Sequence, residues 1–136
     1  MRHVLRSTAV TLAALLAAAS MAFAPATAAP AAATCRGPQY PTGVCKVYFN
    51  HGQYHRGDTA KFYSDPAFKP GESVKGKLVC KNDFTRKRGP WTAGTHGRVR
   101  GQFTVPDKAP LGTCKFTLRG VTTGATAVGT FKVVKG

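Results

Sequence analysis

Arg98–Gly120, RVRGQFTVPDKAPLGTCKFTLRG, decides how the rest of the chain is read. Val99, Gly101, Phe103 and Val105 alternate with Arg98, Arg100, Gln102 and Thr104, the period-two pattern of a half-buried strand. Pro106 stops that strand, because proline has no N–H to give to a ladder. After DKAPLG the alternation resumes, with Cys114, Phe116 and Leu118 on one side and Lys115, Thr117 and Arg119 on the other. Two strands joined by a Pro- and Gly-punctuated crossover are expected, with the remaining chain pairing or packing against them.

The same pattern recurs on both sides of this stretch. Upstream, Cys45, Val47 and Phe49 alternate with Lys46, Tyr48 and Asn50, and Ala60 and Phe62 alternate with Lys61 and Tyr63. Val74, Gly76, Leu78 and Cys80 then oppose Ser73, Lys75, Lys77, Val79 and Lys81. Downstream, VTTGAT reads as a hairpin-like connection and Phe131 and Val133 point inward from the last strand. His51–Asp58 reads as a polar, Gly-containing connection, and Asn82–Gly97 as a long loop or a short strand around Trp91. No helical period is visible beyond the leader. About seven short strands with turn signals between them predict an antiparallel β-sandwich over residues 44–136.

The first residues are expected to be removed. Arg2 and Arg6 precede an uncharged Ala/Leu/Val run from Val10 to Phe23, followed by the small-residue sites Ala26-Thr27-Ala28 and Ala31-Ala32-Ala33. That is the layout of a secretory signal over 1–28, cleaved between about 28 and 33. The run is too short and too rich in alanine to span a bilayer comfortably. Residues 29–43 then form an N-terminal loop segment containing TCRGPQYPTG. A secreted protein, loosely associated with the cell wall, is the expected localisation.

Four cysteines remain, Cys35, Cys45, Cys80 and Cys114, and an even count in a small exported domain reads as two disulfides. Three pairings are possible. Cys35–Cys45 would pin the N-terminal loop to the start of a strand, and Cys80 and Cys114 both fall on inward faces, so this pairing is favoured. No C-x2-C or H-x3-H spacing points to a metal, and His51 and His55 sit in a Gly-containing segment rather than on a helix. No metal and no cofactor is expected.

Charge is the strongest compositional signal. Removing Arg2 and Arg6 from the 20 basic residues leaves 18 against five acids, a net charge of +13. Such a field favours polyanions, and for an exported protein these are surface polymers; nucleic acid is not an expected partner in vivo. Enzyme chemistry lacks parts. After the leader, the serines Ser64 and Ser73 lie outside any G-x-S-x-G setting, and the acids sit in turn-like stretches. The tripeptide Arg56-Gly57-Asp58 is read as a turn before a strand.

Phe68-Lys69-Pro70-Gly71-Glu72-Ser73-Val74, Gly101-Gln102-Phe103-Thr104-Val105-Pro106, Leu111-Gly112-Thr113 and the final Gly-x-Phe-x-Val resemble the immunoglobulin-like domains of actinobacterial secreted and cell-surface proteins. The resemblance covers roughly Gly57 to Val134 and implies the fold more than a function. The sequence departs from it at Cys114, where an aromatic or polar residue is usual, and in its heavy Lys/Arg content.

The expected function is therefore a secreted, non-catalytic binding or envelope-associated module that contacts anionic cell-wall or surface polymers through a basic face. Arg86, Lys87 and Arg88 with Trp91, together with Arg98, Arg100 and Lys115, are the candidate anion-binding residues. For Trp91 a place in the core is equally open, as immunoglobulin folds commonly bury one tryptophan. Some of the outward Lys46, Lys61, Lys75, Lys77, Arg119 and Lys132 are expected to collect into stripes on one sheet. The alternatives are an inhibitor or effector acting through a loop held by Cys35–Cys45, and a small-molecule carrier.

Overall fold

The computed structural model describes Cys35 and residues 43–136. The expected leader (1–28), most of the 29–43 segment and the interior of the Cys35–Cys45 loop lie outside the described residues. Eight strands follow in chain order: β1 (Val47–Phe49), β2 (Gln53–His55), β3 (Thr59–Ser64), β4 (Ser73–Val79), β5 (Thr85–Thr92), β6 (Arg100–Thr104), β7 (Gly112–Gly120) and β8 (Thr126–Val134). They form a three-stranded sheet, β1-β3-β6, and a five-stranded sheet, β2-β8-β7-β4-β5. The architecture is an immunoglobulin-like β-sandwich, with eight strands where about seven were expected.

The Arg98–Gly120 stretch supplies one strand to each sheet. β6 pairs with β3 in the smaller sheet, and β7 lies between β8 and β4 in the larger one. The expected inward rows face the core: Ala60, Val74, Leu78, Val99, Val105, Cys114, Phe116 and Leu118 are fully buried, and Phe62 and Phe103 nearly so. Phe116 lies among Phe103 (4.8 Å between ring centroids), Phe62 (5.1 Å), Phe49 (5.9 Å) and Trp91 (6.0 Å). Offset and edge contacts of this kind add to the stabilisation from apolar burial.

Two segments depart from the sequence reading. His51–Asp58 contains β2, which pairs parallel with β8 (Tyr54 opposite Val133), so the sandwich is antiparallel except at this edge. The chain changes sheets at Asn50–Gly52 and then runs alongside the last strand. Tyr54 is buried there, with its hydroxyl donating to Asn50 and its ring edge-on to Phe131 at 5.2 Å. The second segment, expected as a long loop or a short strand around Trp91, contains the eight-residue edge strand β5. Val74 pairs with Trp91 and Gly76 with Arg88, so Gly89 and Pro90 together oppose Lys75 in a bulge. The extra residue reverses the in–out parity and turns Trp91 inward.

Both expected disulfides are present. Cys80–Cys114 joins positions directly beyond the Val79–Lys115 pair, with Cα atoms 4.1 Å apart, and therefore ties neighbouring strands of one sheet. Cys35–Cys45 fastens the N-terminal segment just ahead of β1, with both cysteines buried.

The F-x-P-G-E turn has a specific lock. Pro70 and Gly71 (φ +82°) turn the chain, and the Glu72 amide donates back to the Lys69 carbonyl at 3.0 Å. The Glu72 carboxylate is buried and accepts from the amides of Lys69 (2.7 Å), Thr122 (3.0 Å) and Thr123 (3.1 Å) and from the Thr123 hydroxyl (2.9 Å). Gly120 makes room, since a Cβ there would lie 2.4 Å from Glu72 Oε1. Burial alone would raise this carboxyl's pKa, but the Lys69, Thr123 and Thr122 donors outweigh it and hold it below the usual glutamate range. A depressed folded-state pKa stabilises above the unfolded value, and the contribution is lost as pH falls through the folded value. Glu72→Gln should thus cost about 2 kcal/mol at pH 7, the gap to wild type narrowing as pH drops below about 4. Chemical denaturation at pH 7 and pH 3 checks this; an equal gap at both would contradict it.

Candidate anion-binding face

Cations and carboxylates are segregated in this fold. Asp58, Asp65, Glu72, Asp83 and Asp107 all lie outside the strands. Glu72 is committed to the turn above, Asp65 Oδ2 accepts the Lys46 amide (2.8 Å), and Asp58 Oδ2 accepts the His55 amide (2.7 Å). These carboxylates shape turns, as short acidic side chains commonly do. The strand faces are left to lysine and arginine.

The outer face of the five-stranded sheet is the most basic of them. Side chains alternate across strands, so residues far apart in sequence converge: Lys75 and Lys77 from β4, Lys87 from β5, and Lys115 and Arg119 from β7. They line a shallow groove of about 820 Å³ together with Arg88, Val79, Thr117 and Thr126. Register places Lys77 opposite Lys87 and Lys75 opposite Arg119. Like charges opposite each other destabilise a ladder, here by roughly a few tenths of a kcal/mol per exposed pair. All five side chains are exposed, so an arriving anion would meet them without having to open the fold.

The candidate residues from the sequence divide among three places. Lys87 and Lys115 are in the groove, and Arg88 borders it. Arg86 and Arg88 occupy the inward register of β5, the edge strand of the larger sheet. Arg86 lies over Phe84, 4.1 Å from the ring centroid, and Arg88 is half-buried, its Nη2 3.5 Å from the Thr104 carbonyl on β6. Arg98 and Arg100 lie on the other sheet, bordering two shallow dips of about 390 and 360 Å³. The run 86–88 is thus a strand whose side chains alternate, not a loop offering three cations to one partner.

Trp91 is partly buried and packs against the core. Its ring is half-buried between β5 and β6, perpendicular to Phe62 at 5.0 Å and to Phe116 at 6.0 Å. Three glycines cradle it: a Cβ at Gly76 would meet the ring at 2.8 Å, at Gly89 at 2.9 Å and at Gly101 at 2.4 Å. The partly buried indole thus packs against the core at the edge of the larger sheet.

The groove's Lys75, Lys77 and Arg119 were visible as outward residues, but their convergence depends on the strand order β7-β4-β5, which no local pattern specifies. Arg56-Gly57-Asp58 is a turn: Arg56 Nε donates to the Ala109 carbonyl (2.7 Å) and the Gly57 amide to Val105 (2.9 Å). His51 packs its ring edge-on to Tyr54 at 5.8 Å.

No family model matches the chain, and no curated protein matches it. Among solved structures, it is similar to part of trypsin-activated α2-macroglobulin from Escherichia coli, with 12% identity and a TM-score of 0.52. The alignment covers 79% of this chain and 7% of that one. The PKD domain of an M14-like peptidase from Thermoplasmatales archaeon SCGC AB-540-F20 aligns over 68% of this chain and 94% of its own, with 15% identity and a TM-score of 0.39. At such identity the likeness to the macroglobulin is one of fold alone.

Proposed function

We propose that this chain is a secreted, non-catalytic binding module that holds anionic surface polymers on the outer face of its five-stranded sheet. The observation that carries this reading is the convergence of Lys75, Lys77, Lys87, Lys115 and Arg119 on one groove, with every carboxylate of the chain outside the strands. Mutually repelling cations kept side by side gain most from a ligand that neutralises several of them at once. Two disulfides in a domain of this size support an oxidising, extracytoplasmic location.

The scale is that of reversible retention. At about 1 kcal/mol per cation near an anionic surface, five give about 5 kcal/mol, a Kd of roughly 0.2 mM for one contact face. Repeating charge along a polymer raises retention above that figure through rebinding.

The test is binding to poly(glycerol phosphate) at low salt. Lys77→Glu/Lys115→Glu should weaken it by at least about 30-fold. Lys108→Glu/Lys135→Glu, which changes the net charge equally at exposed positions outside the groove, should weaken it far less. Equal losses in the two variants would mean that overall charge, and not this face, does the binding.

A further inference from the structure

The opposite side of the sandwich carries a second group of exposed aromatic and basic side chains. On the outer face of β1-β3-β6, Tyr48 pairs directly with Tyr63, and Tyr63 with Arg100. The two tyrosine rings stack, 5.1 Å between centroids and 24° between planes, yet remain 37% and 47% exposed. One step along the strands, Lys61 sits opposite Gln102. Tyr63, Lys61, Arg98 and Arg100 line a shallow dip of about 390 Å³, and the two arginines also border the neighbouring one. Asp65 lies just beyond Tyr63, but it is buried and its Oδ2 accepts the Lys46 amide.

This chemistry differs from that of the groove. The groove offers cations with threonines and no aromatic ring, and is suited to charge of any carrier. The second face joins cations to an exposed phenol ring, whose apolar face suits the C–H side of a pyranose and whose hydroxyl can bond to sugar oxygens. We infer that the Tyr63–Arg100 face binds a carboxylated sugar unit of an acidic polysaccharide, so that one domain bridges two polymer chains. The inference rests on the groove reading for the other contact. The geometry allows it: the two sheets pack face to face about 10 Å apart, so their outer faces point in opposite directions and cannot engage one local segment of a chain together.

Polygalacturonate-coated beads test the bridging, with poly(glycerol phosphate) binding as the independent readout for the groove. Wild type should clump the beads. Tyr63→Ser/Arg100→Gln, both exposed positions, should need at least about tenfold more protein to do so while its Kd for poly(glycerol phosphate) stays within about threefold. Arg100→Gln alone should act in the same direction, which guards against a folding defect in the double variant. If wild type binds poly(glycerol phosphate) but does not clump the beads, or if Tyr63→Ser/Arg100→Gln clumps them as well as wild type, the bridging inference is wrong and the groove reading stands. If wild type binds neither polymer, both fall.

Discussion

Trp91→Ala should cost about 3 kcal/mol of stability and leave affinity for anionic polymers unchanged within twofold. Truncating a large aromatic in a core costs about 3–5 kcal/mol, the amount depending on how far the surroundings collapse into the space. Trp91 is only half-buried, which lowers the loss. Its neighbours, however, include Gly76, Gly89 and Gly101 beside Phe62 and Phe116, and the glycines have no side chains to swing into the hole. The value should therefore stay near the bottom of the range rather than fall below it. Urea denaturation measures the first part, and titration with poly(glycerol phosphate) the second. A small loss of stability joined to a large loss of binding would return Trp91 to the binding site.

The second large effect is expected at the longer disulfide. Removing Cys80–Cys114 as a Cys80→Ser/Cys114→Ser pair should cost about 3–4 kcal/mol, because the bond closes a loop with a sequence separation of 34. Cys35–Cys45, with a separation of 10, should cost nearer 2.5–3 kcal/mol by the same chain-entropy argument. In a domain of about 100 residues the larger loss lowers Tm by about 15–25 °C. Calorimetry of the two double variants gives the order. A reversed order would show that strand pairing around Val79–Lys115 already holds these ends in the unfolded ensemble.

How much of this was legible in the sequence depended on whether the information was local. The inward rows of β3, β4, β6, β7 and β8 follow from alternation alone, because one face of each strand meets the core and the other meets water. β2 escaped because three residues, with one inward side chain at Tyr54, are too few to display a period. β5 escaped for two physical reasons. Its inward register holds the charged Arg86 and Arg88, which hide the apolar alternation, and the Gly89-Pro90 bulge changes parity before Trp91. For those reasons β5 runs from Thr85 to Thr92 where a long loop or a short strand around Trp91 was expected.

The site was harder to read than the fold. That lysines would project outward was evident, and the favoured disulfide pairing followed from the same in–out assignments. Which lysines share a face was not, since Lys77 meets Lys87 and Lys75 meets Arg119 only through pairing between strands. Of the consecutive basic residues at 86–88, Lys87 and Arg88 border the groove while Arg86 turns over Phe84, and the other groove cations come from scattered positions. Charge runs mark sites well in loops and helices, and poorly in sheets.

The central claim is that several groove cations bind a polymer together, and the salt dependence of poly(glycerol phosphate) binding tests it most directly. Each neutralised phosphate releases counterions, so about five contacts on a flexible single chain give a slope of log K against log salt of roughly −3.5. Lys77→Glu/Lys115→Glu should flatten this to about −2, whereas Lys108→Glu/Lys135→Glu should leave it near the wild-type value. A wild-type slope of −1 or shallower, or one untouched by the groove substitutions, would contradict the account.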